Sequence, residues 1–218
     1  FIKKNTNIFF ECKKIELFYE QNNNEFINFM NFENLGKNLM LIFENEKMKK
    51  NLISNIKKNK KIKIVSQEIK EINTKNTSLV LNKKIFYYDL ILLCIGKNNN
   101  IIETLLGKRF IKDDKNEIAY ACKVVHNSNL KESKQYFLKE GPMALLPINN
   151  KKFSLIWSMN SSYKSFNNNQ IKKLILSRLR SIFPQKTKLH LNFNVFIQHP
   201  LHHQRLLLQY HLHHLHLQ

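Results

Sequence analysis

A chain of 218 residues can bury one sizeable core or two small ones, so length alone leaves an enzyme open. The formal net charge of +20 suggests a nucleic-acid binder, but of 36 basic residues only Arg109, Arg178, Arg180 and Arg205 are Arg. Specific phosphate recognition favours the planar guanidinium over the hydrated ammonium, so the Lys and Asn excess is read as an A-rich coding bias that argues against nucleic acid. Attraction to acidic lipid headgroups stays compatible with the charge.

Cys12, Cys94 and Cys122 are odd in number, far apart and free of any C-x-x-C spacing, which excludes a disulfide framework and points to a reducing, cytoplasmic setting. The longest apolar run, Leu90 to Ile95, is far short of the roughly 20 residues a spanning helix needs. The chain opens on Phe1 without a charged-then-apolar leader, and is read as a sequence cut at its front.

In chain order, Ile15 to Phe43 mixes aromatics with Asn and Glu and predicts short strands and loops. Met48, Leu52, Ile53 and Ile56 then recur at helical spacing behind Asn45, a side chain suited to capping the first turn. Ile62–Val65, Glu68–Ile72, Ser78–Leu81 and Lys84–Tyr87 predict an antiparallel meander. The continuous run from Asp89 to Gly96 predicts a strand buried on both faces, as in a parallel Rossmann-like layer.

Alternation in Ile118–Val125, Gln135–Leu138, Met143–Ile148 and Phe153–Met159 predicts a second, antiparallel sheet, with turns at Gly141-Pro142 and Asn149-Asn150. Ile171, Leu174, Ile175, Leu179 and Ile182 mark one stripe of a helix from about Asn168 to Phe183, stopped by Pro184. His126, at a strand end without an acid nearby, reads as a surface turn residue rather than a catalytic base.

His199 to Gln218 holds seven His, seven Leu and three Gln with no Lys, Asn, Ile or acid. All three favoured residue types have codons beginning with C, as a reading-frame slip in an A-rich gene would produce. His199 with His203, or His211 with His214, would share a helix face, but without Cys or carboxylate partners no metal site is expected.

Three segments carry a family resemblance. Glu44-Asn45-Glu46-Lys47-Met48-Lys49-Lys50-Asn51-Leu52 resembles the E-N-x-x-L-x-x-x-L helix start of the ubiquinone-biosynthesis hydroxylases, flavin monooxygenases of the p-hydroxybenzoate-hydroxylase type. Tyr88 to Gly96 resembles the strand that leads into that family's A-D-G-x-x-S motif. Gly141-Pro142-Met143-Ala144-Leu145-Leu146-Pro147-Ile148, with Phe153 to Ser158 after it and Phe137 before it, is similar to the family's G-P-x-A-x-L-P-L turn and later S-x-V-W strand.

The resemblance implies an α/β chain of mixed type, with a partial Rossmann-like FAD-binding layer and a second, mainly antiparallel substrate-side sheet. It divides the chain at 1–100, 101–183, 184–198 and 199–218. It further implies an FAD-dependent oxidoreductase using NAD(P)H and O₂ to hydroxylate an aromatic ring of a lipid-like quinone precursor, peripheral at the inner membrane face and working in a ubiquinone-biosynthesis complex. Asn45 and Gly96 would lie on the cofactor, and Leu145, Pro147 and Trp157 on the substrate.

The departures are equally definite. G-x-G-x-x-G, which brings a diphosphate to a helix N-terminus, is absent, since Gly36 is the only glycine before Gly96. The Asp-Gly pair is Ile95-Gly96, Asn and Glu replace the expected Ser and Arg in Lys97 to Glu103, and the later G-D motif gives way to the His/Leu tail. These losses imply a fragment, inactive by itself; the alternative is an inert relative serving as an interaction partner.

Overall fold

The computed structural model describes residues 6–22, 25–94 and 110–206, with residues 110–116 and 193–206 described through their backbone alone. It falls into two compact units, Phe1–Ile56 with Lys115–Leu201, and Lys57–Asp114 with His202–Gln218.

The first unit is built on a seven-stranded mixed sheet. Its strands are β2 (Lys14–Glu20), β3 (Phe26–Glu33), β8 (Phe110–His126), β9 (Ser133–Leu138), β10 (Gly141–Asn149), β11 (Lys152–Asn160) and β12 (Leu189–Leu206), in the spatial order β12-β8-β11-β10-β9-β2-β3. β8 through β11 form the antiparallel sheet that alternation predicts, with β8 returning beside β11, while β2 joins β9 in parallel, Ile15 opposite Ser133 and Tyr19 opposite Phe137. The sequence division at residue 100 is thus crossed by the sheet, which takes β2 and β3 from the first forty residues.

Period-two alternation gives the sheet two unlike faces. Ile118, Tyr120, Cys122 and Val124 of β8, Met143 and Leu145 of β10, and Phe153, Leu155, Trp157 and Met159 of β11 point to one side and form the core. The helix α2 (Asn168–Ile182) closes that side with Ile171, Ile175 and Leu179, each fully buried. Asn167 begins α2 with a capping box: its side chain accepts from the Gln170 amide while the Gln170 side chain accepts from the Asn167 amide. Phe183 and Pro184 end it, within a residue of the predicted stop.

A two-stranded ribbon, β1 (Phe9–Cys12) with β4 (Met40–Phe43), leans on β10 and leads into helix α1 (Asn45–Lys57). The helix begins at Asn45 itself, so the residue at the cap is Glu44, whose carbonyl accepts from the Met48 amide at 3.0 Å. The expectation of Asn45 as the cap is corrected by one position.

In the second unit β5 (Ile69–Asn73), β6 (Ser78–Leu81) and β7 (Lys84–Tyr87) form the expected meander. Asn82 and Lys83 both take left-handed φ values, +46° and +65°, which the tight β6–β7 turn requires. Two expectations fail here. Ile62–Val65 forms no strand and stands exposed, and Leu90–Cys94 has no regular structure, with Leu92 78% exposed. A strand buried on both faces needs neighbours on both edges, and none of the described strands pairs with this run. Gly96 and Ile95, like most of the His/Leu tail, lie outside the described residues.

Candidate functional site

The side of the large sheet that α2 does not cover is lined largely by small and apolar residues. One continuous row crosses six strands: Ala121, Ile156, Ala144, Gln135, Leu17 and, on β3, Met30, each opposite the next. Beside it, Ser154 stands between Lys123 and Leu146. Ala121, Ala144 and Ser154 are half-buried here beside the half-buried Leu146 and the exposed Ile156, and the β1–β4 ribbon covers the end at Ser133, where Cys12 Sγ donates to Ser133 Oγ at 3.2 Å.

Two features border this face. At one side, the start of α1 is tied to it by an ion pair: Glu44 Oε2 accepts from Lys123 Nζ at 2.5 Å, and Glu44 Oε1 meets Lys47 Nζ at 2.6 Å. The hydrogen bond from Lys123, reinforced by that from Lys47, holds the Glu44 carboxyl down at about 2, so it stays ionised through the physiological range. At the other side Tyr19, Phe29 and Phe137 line an open apolar hollow of about 270 Å³, the Phe29 ring 5.9 Å from Tyr19 and 5.8 Å from Phe137.

The residues expected to touch substrate lie elsewhere. Leu145 and Trp157 are fully buried and Pro147 is buried beside them, all three on the face that α2 closes. The indole Nε1 donates to the Gly141 carbonyl at 3.0 Å. Pro147 is opposite Phe153, and Leu145 opposite Leu155. These three side chains belong to the core, and the alternate residues of the same strands point to the side that α2 does not cover. The reading of Gly141-Pro142 as the turn is corrected too: Lys139 and Glu140 make the turn and Gly141 starts β10. Gly141 sits at φ +131°, where a Cβ would fall 2.1 Å from the Ser158 carbonyl oxygen, so only glycine fits.

His126 is likewise corrected. It is 3% exposed, packs against Phe153 at 5.1 Å and Phe183 at 6.4 Å, and shares a 2.8 Å hydrogen bond between Nδ1 and Ser128 Oγ. Burial lowers its pKa and keeps it neutral. The Cys122 thiol, pushed up to about 12 by burial, stays protonated and is no nucleophile.

A buried network escaped the sequence reading. Arg178 of α2 donates through Nε and Nη2 to Glu140 Oε1, at 3.2 and 2.6 Å, and through Nη1 to Glu20 Oε1 at 2.7 Å. It ties α2 to the β9–β10 turn and to the end of β2. The signal was available: Arg is rare in this Lys-rich chain, and a forked guanidinium is needed where two carboxylates must be bound at once.

For a dinucleotide cofactor the described residues offer half of what is required. Asn45 is exposed at the start of α1, but the ionised Glu44 beside it opposes a diphosphate at that helix end. Gly36 sits in a turn with nothing within 4 Å of its Cβ position, and Gly141 is closed by Ser158. Among the described residues no glycine cradle for the phosphates exists, and no cluster of His, Cys, Asp or Glu is arranged to hold a metal.

These layers, a large mixed sheet with separate antiparallel sheets and flanking helices, define the fold as one similar to that of FAD-binding flavoproteins. No family model matches the chain, and no curated protein matches it by sequence. Among solved structures it is similar to CmlS, a flavin-dependent halogenase, with TM-score 0.58 and 9% identity over 93% of this chain and 38% of that one. It is similar also to a variant of PqsL from P. aeruginosa, with TM-score 0.62 and 11% identity over 81% and 51%. The halogenase PltM, in complex with phloroglucinol and FAD, superposes with TM-score 0.58 and 13% identity over 91% and 46%. The chain therefore spans between about a third and a half of the length of these proteins, and shares their fold.

Proposed function

We propose that this chain is the ring-binding part of an FAD-dependent oxidoreductase that hydroxylates an aromatic ring of a polyprenylphenol-like quinone precursor, with NAD(P)H and O₂ as co-substrates, in ubiquinone biosynthesis. The observation that carries the reading is the open sheet face, floored by Ala121, Ala144, Ser154 and Ile156 and bordered by the Glu44–Lys123 pair. The fold shared with flavin-dependent halogenases, and the Gly141-to-Ile148 strand that resembles the hydroxylase motif, support it. FAD, when bound, would supply the oxidising chemistry. The chain's own residues have simpler tasks: the small side chains admit the flat ring, Leu146 and Ile156 exclude water from one side of it, and the clip at Glu44 holds the start of α1, with Asn45, against the sheet. Action on a lipid precursor implies work at the inner face of a membrane, within a biosynthetic complex; among the described residues no helix is long and apolar enough to cross one.

A second reading, an inert relative that keeps the fold as an interaction partner, is favoured by one observation: the missing phosphate cradle among the described residues. Flavin absorbance and NAD(P)H oxidation of the protein that carries this chain separate the two. Yellow protein whose NAD(P)H oxidation rises with a prenylated phenol supports the enzyme. Folded, colourless protein that oxidises nothing overturns it in favour of the partner.

A further inference from the structure

Strand β3 ends the seven-stranded sheet, and among the described residues nothing pairs with its outer edge. It is eight residues long, reads Phe-Ile-Asn-Phe-Met-Asn-Phe-Glu, and carries none of the lysines or prolines with which edge strands are commonly protected. A register shift where Leu17 faces Met30 and Phe18 faces Asn28 leaves Phe29 as an extra residue. The bulge puts Phe29 on the same side as its neighbour Met30: Ile27, Met30 and Phe32 oppose Tyr19, Leu17 and Ile15 of the open face, and the Phe29 ring meets Tyr19 and Phe137 there. Asn28 and Asn31 share the other side, the Asn28 amide donating to the Asn31 side-chain oxygen at 2.9 Å. Four large apolar side chains, each between 38% and 49% exposed, thus form one stripe along an unpaired edge.

The strand is also complementary to itself. Read in reverse, Ile27 to Phe32 has the same order of polarity: apolar, amide, apolar, apolar, amide, apolar. In an antiparallel pair of two such strands Ile27 meets Phe32, Asn28 meets Asn31, and Phe29 meets Met30. Residues directly opposite must both point their amides at the partner or both away from it. Asn28 and Asn31, three apart, would violate that in a regular strand; the extra residue at Phe29 restores the parity, since they face Phe18 and Glu16 of β2, which are two apart.

Charge opposes contact least at this edge. Two copies each carrying +20 repel, yet residues 15–36 contain no Lys or Arg and four acids, Glu16, Glu20, Glu25 and Glu33. Lys14 reaches in from outside to bind Glu33 at 3.2 Å and Glu16 at 3.3 Å, partly offsetting the acidic end. This segment is where two strongly basic copies approach with least opposition.

We propose that β3 is a self-association edge: it pairs antiparallel with β3 of a second copy about a twofold axis between Phe29 and Met30, joining two seven-stranded sheets into one. The contact is isologous and closes after two copies, because the twofold pairing occupies the same edge of both. It sets the stripe Ile27–Phe29–Met30–Phe32 directly beside its counterpart on one face and matches amide to amide on the other.

The test measures mass and register on the full 218-residue chain. Sedimentation at tens of micromolar is expected to give twice 26.1 kDa, falling to 26.1 kDa in Phe29→Lys/Phe32→Lys with the buried Trp157 fluorescence unchanged. In a Cys94→Ser background, Asn28→Cys and Asn31→Cys proteins are expected to cross-link when mixed and not when oxidised separately, because position 28 meets 31 and never itself. A monomer at every concentration up to about 1 mM overturns the proposal. So does a dimer that survives the double Lys substitution, or cross-linking of either Cys protein alone.

Discussion

Trp157 and Ile156 are neighbours on one strand with opposite surroundings. The indole is fully buried between β10, β8 and α2 and spends its single donor on Gly141, while the isoleucine stands 38% exposed on the open face between Ala121 and Ala144. The same contrast runs the width of the sheet: the residues that make the sequence recognisable, Gly141, Leu145, Pro147 and Trp157, serve the closed face, and the residues available to a ligand are their unremarked neighbours. A sequence signature can therefore lie in the core while its alternate neighbours line the uncovered side of the sheet.

The contrast is broken most severely at Gly141. Gly141→Ala places a Cβ against the Ser158 carbonyl and forces a left-handed φ on alanine, and is expected to cost about 4 kcal/mol or more, measured by urea denaturation. The two faces are compared directly by Trp157→Ala and Ile156→Ala. The first is expected to cost about 3–5 kcal/mol through the cavity it leaves, the second about 1 kcal/mol or less; equal costs would erase the distinction between the faces. If the proposed ring-binding role is right, Ile156→Ala also weakens aromatic ligand binding while leaving the melting transition nearly in place.

The smallest effect is the pH dependence of the clip at Glu44. Hydrogen bonds from Lys123 and then Lys47 depress its pKa from 4.5 to about 2, so the unfolded chain binds the proton more readily. The stabilisation is complete above about 4.5 and is lost as pH falls toward about 2. Half-exposed partners limit it to under about 1 kcal/mol. Denaturation curves of Lys123→Met between pH 6 and 3 are expected to show a shallower loss of stability than the parent chain; an unchanged slope would mean that Glu44 does not tie α1 to the sheet.

Much of the fold was legible because period-two alternation and turn residues are local signals. The four strands between Glu117 and Asn160, the β5–β7 meander and α2 with its Pro184 stop follow from them within a few residues. What was not legible depends on pairing across the chain. Nothing near Ile15 announces that it lies beside Ser133, and the apolar run Leu90–Cys94 resembles a buried strand although no described neighbour pairs with it. His126 looked exposed because its cover, Phe183, comes from the far end of α2. The candidate site meets the same limit: which alternate residues face outward is decided by where α2 packs, and the Glu44–Lys123 pair joins residues 79 apart in sequence.

The parallel pairing of β2 with β9 carries a consequence for synthesis. Ile15 and Ser133 are 118 positions apart, so the first strands emerge long before the partner that completes their sheet exists. During that interval the aromatic β2–β3 segment, with Lys14 its single basic residue, lacks the strand that completes its sheet. Occupying it, by a chaperone or by a neighbouring nascent chain, decides how much of the product matures and how much precipitates.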